Sequence, residues 1–186
     1  MKLNLGCGFN KIEGYTNVDN FAGCEPDVVH DLNVTPWPFD TDSVDEIIMI
    51  HCLEHLGETT ATYLGIIKEM YRVCKADALI KIIVPHWMHE NFAHDPTHCR
   101  VVTPVGLAMF SKNRNLQDLA NGGAETKLGL MLDVDFEVLD AQYIPDAYYA
   151  ELSAKEQWTE EQIGRAIVGQ PGACQEIRIM LRVVKQ

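Results

Sequence analysis

The opening LNLGCG, Leu3 to Gly8, and the acid at Asp19 reached through GYTNVD constrain this chain more than any other feature. Leu3 and Leu5 alternate with polar neighbours as a short strand does, and Gly6 and Gly8 permit backbone angles and a close ligand approach that a side chain forbids. Val18 carries a second strand to Asp19. A carboxylate at the end of that strand is placed to accept hydrogen bonds from the hydroxyls of a ribose lying over the glycine turn. The implied ligand is a nucleoside. A dinucleotide is disfavoured, because its fingerprint needs a third glycine opening a long helix and an acid about 20 residues further on. GCGFNK has no such glycine, Asp19 comes early, and the stretch from Gly6 to Tyr15 leaves room for a helical turn or two at most.

A chain of 186 residues, 47% hydrophobic, is long enough for one proper core, and no break in composition divides it. One domain is expected. No apolar run reaches the roughly 18 residues of a membrane helix, and MKLNLGCG runs straight into a strand, so a cytoplasmic location is expected. Six scattered cysteines without a CxxC pair suit reduced thiols, and no disulfide is assigned. The net charge of −12 and the lack of a basic cluster disfavour duplex nucleic acid as a partner.

Further along, Val28 and Val29 read as a short strand, with Asp31 and Leu32 at its carboxyl end. Alternatively, Asp31 closes a turn, as short polar residues often do. TPWPF, Thr35 to Phe39, excludes helix and central strand. Val44 to Ile50 is apolar enough for a central parallel strand covered on both faces, and His51 follows at its carboxyl end. Glu58 to Cys74 has helical spacing, and Ala78 to Val84 is the next buried strand, ending at Pro85 and His86. A long His-rich and aromatic loop precedes a helix from Pro104 to Phe110. Such loops at the carboxyl ends of strands build substrate sites. Phe136 to Ile144 and Ile177 to Val184 read as the last two strands. An acidic helical insertion lies between them, with capping boxes at Ser153 to Glu156 and Thr159 to Gln162.

The glycine turn, Asp19, and the series PF, DTDSVD and HCLEHL to Leu56 resemble class I S-adenosylmethionine-dependent methyltransferases, in particular the small type 11-like family, where the similar series is PF, DxSVD and hxLEHL. DPxHxR, at Asp95, Pro96, His98 and Arg100, resembles a further feature of that group. The resemblance implies an α/β, Rossmann-like, mostly parallel sheet flanked by helices, with an antiparallel C-terminal edge strand. It implies S-adenosylmethionine as cofactor, which carries no phosphate. The cofactor contacts it implies are Leu5, Gly6, Cys7, Gly8, Asp19 and Asn20 from the first two strands. Asp31, Leu32, Ile50 and His51 complete them.

Six of seven histidines fall between positions 51 and 98. His51, Glu54 and His55 spell HxxEH, an inverted zinc-peptidase pattern, but that chemistry needs both histidines on one long helix, and His51 directly follows a strand. No metal ligand is assigned. His51, His86 and His98 are instead the candidates for a neutral imidazole that takes a proton from the methyl acceptor. The reading is therefore methyl transfer to an oxygen or nitrogen of a small molecule, with a homodimer compatible with it. A non-catalytic S-adenosylmethionine-binding domain is the alternative, ahead of a His-ligated zinc hydrolase.

Overall fold

The computed structural model describes residues 1–185. Seven strands form one sheet in the order β3-β2-β1-β4-β5-β7-β6. β1 (Lys2–Leu5), β2 (Thr16–Asp19), β3 (Val28–Val29), β4 (Val44–Ile50) and β5 (Cys74–Pro85) run parallel. β6 (Phe136–Pro145) and β7 (Cys174–Val183) close the sheet as an antiparallel pair, β7 lying inside against β5 and β6 outermost. This is the expected Rossmann-like order with an antiparallel C-terminal edge.

The register puts Leu3, Ile47, Ile80 and Leu181 side by side on one face, and Leu5, Met49, Ile82 and Ile179 beside them. All eight are buried. α1 (Thr60–Val73) joins β4 to β5 and brings Ile66, Ile67, Met70 and Val73 to the same core. Its N-terminus is capped by Thr59, whose hydroxyl accepts the Thr62 N–H at 3.1 Å. α3 (Pro104–Ala108) and the turn after it add Leu107 and Phe110, and the Phe136 ring packs edge-on to Tyr71 at 5.6 Å.

The opposite face is not closed over as a fully buried strand requires. Glu46 is ion-paired to Lys2, Leu79 and Ile50 are 39% and 38% exposed, and Arg182 pairs with Glu137. β4 is thus central but sealed on one side, and its Glu46 and Ile50 mark where water reaches the other. The chain also passes from β1 to β2 through turns, with no helix in that crossover.

After β5 come α2 (Glu90–Ala93), α4 (Lys112–Ala120) and α5 (Leu128–Leu132), the latter two following α3. The insertion between β6 and β7 folds as α6 (Ala147–Lys155) and α7 (Glu160–Gly169). Thr159 and Gln162 form the expected capping box. Ser153 does not form one: it lies inside α6, its hydroxyl donating to the Ala150 carbonyl, and Asp146 caps that helix. No helix among the described residues is long and apolar enough to cross a membrane.

Candidate functional site

At the carboxyl end of β1, Gly6 turns the chain with φ +68°, and a Cβ there would overlap Cys52 Sγ and lie 2.8 Å from Cys52 Cβ. The missing side chain is what lets buried Cys52, just beyond β4, pack beneath the turn. The Gly6 and Cys7 N–H groups both donate to the Val18 carbonyl, at 2.8 and 3.0 Å, which fixes the turn to β2. Gly8, with φ +49°, has nothing within 4 Å of where a Cβ would stand, so its backbone is open to a ligand.

Asp19 ends β2 and braces this loop. Its Oδ2 accepts the Gly8 N–H at 2.8 Å and its Oδ1 the Phe21 N–H at 2.9 Å. Each oxygen keeps a lone pair for a further donor. Gly6, Gly8, Asp19, Asn20 and Leu32 from the first strand ends, with His51, Cys52, His55 and Leu56 from the segment after β4, enclose a cleft of about 310 Å³. It opens at the carboxyl ends of the parallel strands, where ligands of open α/β sheets bind.

The other expected cofactor contacts stand apart from this lining. Leu5 is fully buried beneath it, and Cys7 is buried beside Cys24 and Asp19, its thiol pushed up to about 11 chiefly by burial. Asp31 is exposed and its Oδ1 accepts the backbone N–H and side-chain amide of Asn33, so the turn-closing role is the one the structure displays. Ile50 faces the open side of the sheet.

The three candidate histidines are in three different settings. His51 lies in the left-handed region, φ 50°, half-exposed on the cleft. Glu54 at 3.5 Å and Glu176 at 3.3 Å raise its pKa against the effect of burial. His86 is buried. Its Nδ1 accepts the Met88 N–H at 3.3 Å, its ring lies 3.9 Å from that of Trp87, and burial lowers its pKa, so it is held neutral away from the cleft. His98 reaches the cleft only through His55, whose ring it meets edge-on at 4.5 Å.

Sequence reasoning named Glu54 and His55 only within the HxxEH pattern and gave Cys52 no place in the site. Leu53–His55 is a short 3₁₀ turn that buries Glu54, with only 1% of its side chain exposed. The Cys99 and Arg100 N–H groups donate to the Glu54 carbonyl at 2.9 and 3.0 Å, and the Arg100 guanidinium bonds the Gly57 carbonyl and lies 4.4 Å over the Tyr63 ring. This is the structural work of the DPxHxR segment: it holds residues 95–100 against the turn after β4. The HxxEH pattern was the available signal for this cluster, although its chemistry is not that of a long helix.

No protein-family model matches the chain, and no curated protein matches it by sequence. Solved structures do match in three dimensions. A SAM-dependent methyltransferase from Archaeoglobus fulgidus aligns over 97% of this chain and 85% of its own, with TM-score 0.59 and 20% identity. The 1,6-didemethyltoxoflavin-N1-methyltransferase of Burkholderia thailandensis, solved with 1,6-didemethyltoxoflavin and S-adenosylhomocysteine, aligns over 99% of this chain and 71% of its own, with TM-score 0.52 and 13% identity. The cyclase SpnF aligns over 100% of this chain and 75% of its own, with TM-score 0.52 and 16% identity. One fold here serves more than one chemistry. The chain has the Rossmann-like fold of the S-adenosylmethionine-dependent methyltransferases.

Proposed function

We propose that residues 1–186 form one methyltransferase domain that binds S-adenosylmethionine in the cleft over Gly6 and Gly8. On this reading it transfers the methyl group to an oxygen or nitrogen of a small molecule. The observation that carries the reading is the pairing of an open glycine backbone at Gly8 with a carboxylate at Asp19, both on one cleft wall. A nucleoside without pyrophosphate is supported by the crossover from β1 to β2, where, among the described residues, no helix points its N-terminus at the glycine turn.

Asp19 would hold the ribose hydroxyls through its remaining lone pairs, with Asn20 beside it, and Leu32 would flank the base. Asp31 retains Oδ2 for a donor on the base edge. Bound S-adenosylmethionine supplies an electrophilic methyl group. The protein's part is to align the acceptor, and such alignment contributes on the order of 7 to 11 kcal/mol when reactants are well held. His51, on the cleft and flanked by Glu54 and Glu176, would be the imidazole that receives the acceptor's proton. Assignment to the small type 11-like group, a cytoplasmic location and a dimer belong to the same reading.

The test is calorimetric titration with S-adenosylhomocysteine. Wild type binds it and Asp19→Ala binds more weakly by about 1.5–3 kcal/mol, the range for a hydrogen bond to a charged group. Equal affinity in the two proteins removes the basis of the assignment. Binding without methyl transfer to any acceptor in a broad screen would favour the non-catalytic alternative.

A further inference from the structure

The buried Glu54 carboxyl group has no hydrogen-bond partner on either oxygen, a costly burial for a polar group. His51 Nδ1, at 3.5 Å, is near enough to attract it but makes no bond of good geometry. Glu54, His55 and His98 present ligand atoms that all lie within 4.8 Å of one another. Donors around one first-row ion at bond lengths near 2.1 Å stand about 3 to 4 Å apart, so a small side-chain rotation closes the set.

Both imidazoles are held by hydrogen bonds through Nδ1. Asp95 Oδ1 accepts the Thr97 hydroxyl at 2.6 Å, so Thr97 Oγ1 in turn accepts from His55 Nδ1 at 2.8 Å. His98 Nδ1 lies 2.8 Å from the Phe92 carbonyl, which can only accept. In the neutral form of either ring these bonds put the proton on Nδ1 and leave the Nε2 lone pair to a metal ion. Outer hydrogen bonds of this kind fix the tautomer and ring direction of metal-bound histidine. The contact between residues 95–100 and the Glu54 carbonyl, described above, is what brings the third donor in.

We propose that Glu54, His55 and His98 form a binding site for one divalent transition-metal ion, a two-histidine, one-carboxylate set with positions left open. Such a set suits zinc, iron(II) or cobalt(II). His55 lines the cleft, so the open positions lie toward it, beside His51. There the ion holds a hydroxyl or carboxylate oxygen of the acceptor. The metal site stands on these residues alone, whereas its acceptor-holding role rests on the methyltransferase reading.

The experiment is titration of chelator-stripped full-length protein with Co²⁺, followed by visible absorption, with Zn²⁺ competition and with S-adenosylhomocysteine binding measured on the same samples. The expected result is one Co²⁺ per chain, displaced by Zn²⁺, with affinity reduced more than 100-fold in His98→Ala and in Glu54→Gln. Thr97→Val, which alters only an outer contact on an exposed loop, reduces it by roughly 10- to 100-fold. His94→Ala leaves it unchanged. Absence of saturable binding, or binding that persists in both His98→Ala and Glu54→Gln, overturns the site. Metal binding without nucleoside binding supports the site and removes the methyltransferase reading, whereas the reverse result does the opposite.

Discussion

Gly6 offers the sharpest test of how the cleft is built. Alanine there must adopt φ near +68°, which costs an L-residue about 1–2 kcal/mol, and its methyl group meets Cys52. Forcing a methyl into a packed site adds roughly 1–3 kcal/mol, so Gly6→Ala should destabilise the fold by about 2–5 kcal/mol. Cys52→Ala removes one buried sulfur and should cost about 0.5–1.5 kcal/mol. In the double variant the overlap with Sγ disappears, while the contact with the position-52 Cβ at 2.8 Å and the backbone penalty remain. The two changes should therefore couple favourably by part of that steric cost, about 1–2 kcal/mol relative to their sum. Urea unfolding of the four proteins in the cycle measures this directly. Additivity within about 0.5 kcal/mol would refute the argument that Gly6 is glycine because of Cys52.

His86 makes stability depend on pH in a calculable direction. Burial, with His89 nearby, holds its pKa below the unfolded value near 6.5. The unfolded chain takes up the proton first as pH falls, so this contribution is present above about 6.5 and is lost below it, down to the lowered folded-state value. His86→Gln should flatten the stability profile below about pH 6.5, and an unchanged slope would show that the group does not govern it. Arg100→Ala removes a bond to the Gly57 carbonyl and a cation–π contact with Tyr63. Its expected cost is about 1–3 kcal/mol, with faster amide exchange at Cys99 and Arg100 if the loop detaches. Exchange rates equal to wild type would mean that the loop is held elsewhere.

The sheet was readable because its strands are short apolar runs bounded by turn residues. Leu3 to Leu5 and Val44 to Ile50 sit where their patterns place them, and the strand expected over Ile177 to Val184 runs from Cys174 to Val183. The start of β5 was not readable. α1 ends and the strand begins at Cys74 without a turn, and the exposed Lys75, Ala76 and Asp77 sit opposite an irregularity between Val44 and Glu46. α4 was missed for the opposite reason: of Lys112–Ala120 it buries only Asn115, so no apolar stripe announces a helix. The cleft floor was legible at Gly6, Gly8 and Asp19, where local backbone requirements show in residue type. His55 and His98 are far apart in the chain, and what joins them is a set of tertiary bonds through Glu54, Gly57 and Thr97. No local periodicity records such bonds.

The place of β7 also orders events in time. Leu79 of β5 pairs with Arg182 of β7, and Phe136 of β6 pairs with Val183. On a ribosome adding about 5–20 residues per second, β5 waits several seconds for that neighbour. Until β7 emerges, β6 has no strand beside it and the core face of β5 near Ile80 and Ile82 is incomplete. A nascent chain that has not yet made β7 leaves this apolar face without its neighbour, the kind of exposed surface that makes incomplete folds prone to aggregation.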